Sequence, residues 1–208
     1  MPNPNHLNPE LTKAIRANAV GLPLYGEGPG VDYTHSPVAY ATNVTVLDAA
    51  TMGYNEATGL YVPTDETEAL IVQRGSGDGR IGAWSGVSGY IDTMSDPTGE
   101  LTDDEFDPVQ FTARTELAEE CGFTPQMLAR VALCMGESFP VQRPPRIIHI
   151  LPFAGVYIGD SKPPIQVDGV ELLDAAWVPL GQIRERKGIG SGYVRDTLPA
   201  ALRALRFE

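Results

Sequence analysis

The chain of 208 residues carries 27 acidic against 15 basic side chains, a formal net charge of −12, with 42% hydrophobic and 20% charged residues. That balance, without any Lys/Arg cluster, excludes a nucleic-acid backbone binder, and no apolar run reaches the roughly 20 residues that cross a bilayer. Two cysteines, Cys121 and Cys134, without a CxxC or Cys/His pairing, exclude a disulfide framework and a zinc site.

In chain order, residues 9–20 place Leu11, Ile15 and Val20 among helix formers, which predicts a short N-terminal helix; a Gly/Pro-rich irregular stretch follows to residue 36. The expected organisation is this extension, residues 1–36, and one domain over 37–208. The N-terminus lacks the apolar core of a secretory signal, so a cytoplasmic location without membrane attachment is expected. VAYATNVTVLD and EALIVQRG read as adjacent strands, joined by the linker TMGYNEATGLYVPTDET. IGAWSGVSGYID is a β-and-turn segment, and MSDPTGELTDDEFDP a solvated acidic loop. After a helix come RVALCMGESF, RIIHILPFAGVYIG and AAWVPLGQI, each apolar enough for a strand or strand pair, and RDTLPAALRALRFE predicts a C-terminal helix. Strands, helix, strands, helix in that order predict an α+β fold, a sandwich with a mixed sheet.

The central helix is the most informative element. Asp107 suits the N-cap, Pro108 the first turn, Gln110 the amide position of a capping box and Gly122 a left-handed stop, predicting a helix from about 108 to 121. Val109, Ala113 and Leu117 form its buried stripe. With about 100° per residue, Glu119 lies roughly −60° and Glu120 roughly +40° from Glu116, so the three carboxylates share one face. A solvated acidic face is the ordinary reading of such a cluster. Acids in the last turn oppose the helix dipole, however, and Glu116 and Glu120 form a like-charge i,i+4 pair, although each effect is worth only some tenths of a kcal/mol.

E-L-A-E-E-C-G-F at 116–123 resembles the end of the Nudix box, G-x5-E-x7-R-E-U-x-E-E-x-G-U, where U is a bulky apolar residue. ALIVQRGSGDGRIGAWSGVSGYID resembles the strand, loop and Gly-rich turn before that box, and ELLDAAWVPLGQI the Trp-bearing segment near the last helix of the family. The resemblance implies a Nudix-type α/β/α sandwich and a metal-dependent pyrophosphohydrolase acting on a small nucleotide-like diphosphate. It implies Mg²⁺ or Mn²⁺ held by Glu116, Glu119, Glu120 and the backbone carbonyl of Gly89. Glu116 or a metal-bound hydroxide helps to activate water, Glu120 is a further catalytic ligand, and a homodimer is the assembly it suggests. Oxygen ligands suit these hard cations.

Two departures stand out. Thr115 occupies the Arg position of the box, where a guanidinium would sit one turn before Glu119 and orient the acids. Arg114 lies about 160° from Glu116 on the helical wheel and is no simple replacement. Seventeen residues separate Gly89 from Asp107 where the family has five before a Glu; Asp107 and Glu105 are the two stand-ins for that Glu. These departures motivate a rival, a Nudix-fold module that binds a nucleotide without hydrolysing it. An isomerase of the isopentenyl diphosphate type is a third reading, disfavoured because no Cys and Glu pair is placed for that chemistry.

Substrate-binding candidates are Arg74, Trp84 and Arg146, with Arg80 and Arg143 as further guanidinium forks matched to phosphate oxygens. Trp84, Tyr90 and Phe139 suit stacking on a base or, as aromatics more often do, packing in the core. His149 reads as a strand residue. Asp168, Glu171 and Asp174 are the downstream acids able to add a base or a metal ligand, with no motif to choose among them.

Overall fold

The computed structural model describes residues 38–75, 81–102, 105–167 and 169–205. The expected helix at 9–20, Arg80 and Asp168 lie outside these residues. Strand β1 (Val38–Asp48) is the spine: β-branched and small residues along VAYATNVTVLD leave it buried almost throughout. It pairs in parallel with β8 (Arg146–Tyr157) over its whole length and antiparallel with β4 (Glu68–Arg74) at Val46 and Leu47. β9 (Leu172–Pro179) and the short β5 (Trp84–Ser85) pair with β4, while β6 (Val131–Met135) and β7 (Phe139–Arg143) pair with β8. The result is one mixed seven-stranded sheet.

Helix α1 (Pro108–Cys121) covers one face. Val109, Ala113, Leu117 and Cys121 pack there against Tyr40, Val44, Leu151 and Phe153. A short turn, α2 (Pro125–Leu128), follows it. The other face carries Leu47, Ile71 and Ala154 beneath Tyr193, Leu198 and Ala201 of the C-terminal helical segment. This α/β/α sandwich is the architecture expected from the order of elements. Among the described residues, no helix is long and apolar enough to cross a membrane.

Two segments differ from the sequence reading. The linker after β1 holds a hairpin, β2 (Gly53–Asn55) with β3 (Leu60–Val62), whose exposed Tyr54 and Tyr61 rings stand 5.3 Å apart. Strands of three residues give too short an alternation to read. The C-terminal helix is compound: a wide turn at Tyr193–Thr197 runs into α4 (Leu198–Arg203), after the short α3 (Leu180–Ile183). Pro199 has no N–H to donate to the preceding turn, which favours a local change of helical pitch.

Candidate active site

Helix α1 has the ends the sequence dictates. Asp107 Oδ1 accepts from Val109 N (3.0 Å) and Gln110 N (3.1 Å), and Pro108 opens the first turn. At the other end Gly122 has φ 70° and its N–H donates to Ala118 O, an αL stop, while Phe123 N donates to Leu117 O. Asp107 is thus engaged at the helix start, and burial pushes its carboxyl above the ordinary range despite those two bonds. Glu105 instead accepts from Thr102 N and Oγ1 within the exposed loop.

The acidic face develops as predicted, but not evenly. Glu120 is buried, Glu116 half-buried and Glu119 exposed. Burial first, then the charges of Glu120, Glu119, Asp92 and Glu171, pushes the Glu116 carboxyl up to about 8. The same neighbourhood acts on Cys121, whose thiol is raised to about 12 by burial and then by Glu120 and Glu116. Asp92 and Glu171 are therefore part of the acidic surroundings of Glu116. Glu171 was one of three undifferentiated acids in the sequence; Asp174 turns aside to accept from Ala175 N. Asp92, three residues beyond Gly89, had no motif to mark it.

Gly89 faces this cluster. A Cβ on Gly89 would overlap the Glu116 carboxylate and stand 2.7 Å from its Oε2, so only glycine lets that side chain lie against the strand. The Gly89 carbonyl accepts from Thr42 N at 2.9 Å, with Thr42 Oγ1 at 3.4 Å, which ties it to the β1 ladder. Among the described residues, no three Asp, Glu, His or Cys side chains converge tightly enough to ligate one ion. The acids sense one another through space without forming a closed cage. Their oxygen donors, a neighbouring backbone carbonyl and the carboxylate pressed on Gly89 nevertheless fit a hard divalent cation.

Thr115 supplies no guanidinium, and Arg114 does not replace it: its Nη1 donates to Leu128 O at 3.0 Å, as its position on the wheel required.

On the opposite face of the sheet lies a cavity of about 740 Å³. Ala41 bridges Tyr90 and Val44 bridges Val87, a register that sets Asn43 opposite Ser88. Side chains alternate along a strand, so Gly89 faces α1 while Ser88 and Tyr90 face the cavity. Arg74 reaches the same wall, its Nη1 donating to Ser88 Oγ at 2.9 Å. Phe139 and Arg143 line the far side; Arg146 is not among the lining residues. Trp84 is only 5% exposed and carries the Arg186 guanidinium 3.9 Å above its ring, so it is chiefly a core residue with an edge on the cavity. His149 stacks near Tyr40, 5.3 Å between ring centroids, on the α1 face.

A mixed sheet between two helical layers, with an acidic helix end against a glycine of the preceding loop, defines the class of fold. Solved structures of that class match the chain. The NUDIX domain of NrtR from Shewanella oneidensis, complexed with ADP ribose, superposes with a TM-score of 0.52 at 14% identity, covering 79% of this chain and 86% of that one. The MutT protein of Methanosarcina mazei Go1 superposes with a TM-score of 0.50 at 15% identity, covering 81% and 96%. Neither a family model nor a curated protein sequence matches the chain. The chain has the Nudix fold.

Proposed function

We propose that the protein is a divalent-metal-dependent Nudix pyrophosphohydrolase that cleaves a nucleoside diphosphate linked to a second moiety. The observation that carries this reading is the contact between Gly89 and Glu116, which joins the box glycine to an acidic cluster of Glu116, Glu119 and Glu120 with Asp92 and Glu171 nearby. Burial first and then the charges of its acidic neighbours disfavour the ionised form of Glu116, and a bound cation would stabilise that form. Glu116, Glu119 and Glu120 would hold Mg²⁺ or Mn²⁺, with the second lone pair of the Gly89 carbonyl as a further ligand. Such an ion, when bound, neutralises the diphosphate and makes water acidic enough to attack it.

The chain's own residues do the rest. Glu116, pressed against Gly89 at the centre of the acidic cluster, is the carboxylate suited to take a proton from water once its charge is stabilised. Ser88, one residue from Gly89, and Arg74, bonded to it, stand where the diphosphate passes from the acidic face into the cavity. The cavity, within the size range of cofactor sites, holds the remainder of the substrate between Tyr90 and Phe139. That the Shewanella domain is complexed with ADP ribose supports this substrate class.

Thr115 in the Arg position, with Arg114 bonded to Leu128 O, favours one alternative, a module that binds such ligands without cleaving them. A product-release screen separates the two. It uses nucleoside triphosphates, ADP-ribose, NADH, sugar nucleotides, dinucleoside polyphosphates and coenzyme A with Mg²⁺ or Mn²⁺. Cleavage that disappears in Glu120→Gln is expected. Ligand binding with no cleavage over hours would establish the binding module instead.

A further inference from the structure

We propose that Asn43 is a specificity residue of the cavity: its Oδ1 accepts a hydrogen bond from the nucleoside of the ligand, donated by a ribose hydroxyl or by an exocyclic amine of the base. The placement of that ligand rests on the function proposed above, with the diphosphate near Gly89.

Asn43 lies on β1 and lines the cavity, although it is only 9% exposed. Its Oδ1 is buried and accepts no hydrogen bond among the described residues. Buried polar atoms in folded proteins are nearly always bonded, because an unmet acceptor bears the full cost of the water it has lost. Thr45, the next side chain on that face of β1, follows the rule: its Oγ1 shares a hydrogen bond with the Tyr193 hydroxyl at 2.9 Å. An apolar residue at position 43 would avoid the cost, so the amide oxygen is matched to a donor from outside the protein. Arg74, bonded to Ser88 Oγ on the same wall, also leaves its buried Nε without a partner among the described residues.

A purely structural task does not account for the amide. Asn43 Nδ2 donates to Gly86 O at 3.4 Å, beyond the usual range, and Ser85 Oγ already donates to that carbonyl at 2.9 Å. The contact does set the orientation: a carbonyl only accepts, so Nδ2 faces it and Oδ1 is left as the open group. Gly86 makes the room, since a Cβ there would stand 2.5 Å from Oδ1. The terminal torsion of an amide is broad, so turning Oδ1 toward a ligand disturbs only that one long contact.

The nucleoside is the part of the ligand that reaches this atom. Asn43 stands opposite Ser88, about 5 Å across the strands, and Ser88 precedes Gly89. Two residues along β1, about 7 Å away, Ala41 lies in a row with Tyr90, Ile150 and Phe139. That row is an apolar bed with a small residue where a flat ring fits. A ligand running from the diphosphate onto it carries its sugar, or the edge of its base, over Asn43.

The test uses the α,β-methylene diphosphates of adenosine, 2′-deoxyadenosine, 3′-deoxyadenosine and purine riboside, whose P–C–P bridge resists cleavage. Each deoxy compound lacks one ribose hydroxyl, and purine riboside lacks the amine. Dissociation constants are measured by calorimetry on the full chain with Mg²⁺. One of the three analogues should bind at least tenfold more weakly than the adenosine compound, which identifies the donor as hydroxyl or amine. Asn43→Ala and Asn43→Ser, both too short to place an oxygen at Oδ1, should bring that ratio below threefold. Asn43→Asp keeps an oxygen there and should keep the ratio, at lower overall affinity. A merely structural Asn43 would instead shift all four affinities together. The inference is overturned if no ratio reaches tenfold, if none of the compounds binds, if the ratio persists in the shortened variants, or if it is lost in Asn43→Asp. Hydrolysis in the product-release screen without such a ratio would sink this inference and leave the hydrolase reading standing; the ratio without hydrolysis would do the reverse.

Discussion

Gly89→Ala isolates the contact on which the site depends. Gly89 is not among the glycines with positive φ, so alanine adopts its backbone without strain. The new Cβ would overlap the Glu116 carboxylate, and even the farther oxygen would stand at 2.7 Å where ordinary contact begins at 3.4 Å. The carboxylate must therefore move by about 1 Å or more, whereas metal–ligand distances tolerate only about 0.2 Å. Since the end of a flexible side chain moves rather than backbone, stability should change by less than about 1 kcal/mol, a Tm shift within about 4 °C. Metal affinity should fall by about 10- to 100-fold, the range seen when a ligand's support is disturbed. Gly86→Ala is the contrast: its Cβ would meet the backbone oxygen of Val44 at 2.7 Å, which cannot swing away, and about 1–3 kcal/mol of stability should be lost. Calorimetric Mn²⁺ titration and thermal melts of both variants read the two effects apart. Wild-type metal affinity in Gly89→Ala would refute the reasoning, as would a melt as damaged as that of Gly86→Ala.

The pH dependence of stability should report Glu116. Its carboxyl moves from 4.5 up to about 8 on folding, so the folded state prefers the proton, and stability from this group is lost as pH rises from about 4.5 to 8. At about 1.4 kcal/mol per pH unit the full loss approaches 5 kcal/mol, with roughly 2 kcal/mol of it between pH 6 and 8. Glu116→Gln in EDTA should flatten that slope, and parallel Tm-against-pH curves for the two proteins would contradict it. Asp107→Ala removes both N-cap bonds and should lower Tm by about 2–4 °C, corresponding to about 1 kcal/mol, while Asp107→Asn should recover most of it. Thr115→Arg should raise kcat/KM by about tenfold by orienting the acids, measured on whichever substrate the screen identifies; a decrease would show that the site is built around threonine.

How far the sequence reached depends on whether a signal is local. Helix α1 was legible to the residue because its cap, its proline, its buried stripe and its left-handed glycine lie within sixteen positions from Asp107 to Gly122. The shared face of Glu116, Glu119 and Glu120 followed from helical geometry alone, and β1, β4 and β8 from their β-rich composition. What the wheel could not give was depth: Glu120 is buried and Glu119 exposed because α1 leans on the sheet, a tertiary fact. Asp92 and Glu171 come to Glu116 through the crossing of separate segments, and no spacing in one chain reports that. The cavity was invisible for a similar reason. Arg74, Tyr90, Phe139 and Arg143 were each noted singly, but only the pairing of segment 87–91 with β1 and of β7 with β8 puts them on one face. Trp84 shows the limit of residue type: an aromatic suited to stacking on a base is occupied by Arg186 and the core.

The central claim is that the acids beside Gly89 hold a divalent cation, and Mn²⁺ binding followed by electron paramagnetic resonance tests it most directly. Wild-type protein should deplete the free Mn²⁺ signal stoichiometrically, and Glu120→Gln, which removes one ligand charge with little change of shape, should bind at least tenfold more weakly. Equal binding by the two proteins, or none by the wild type, would contradict it.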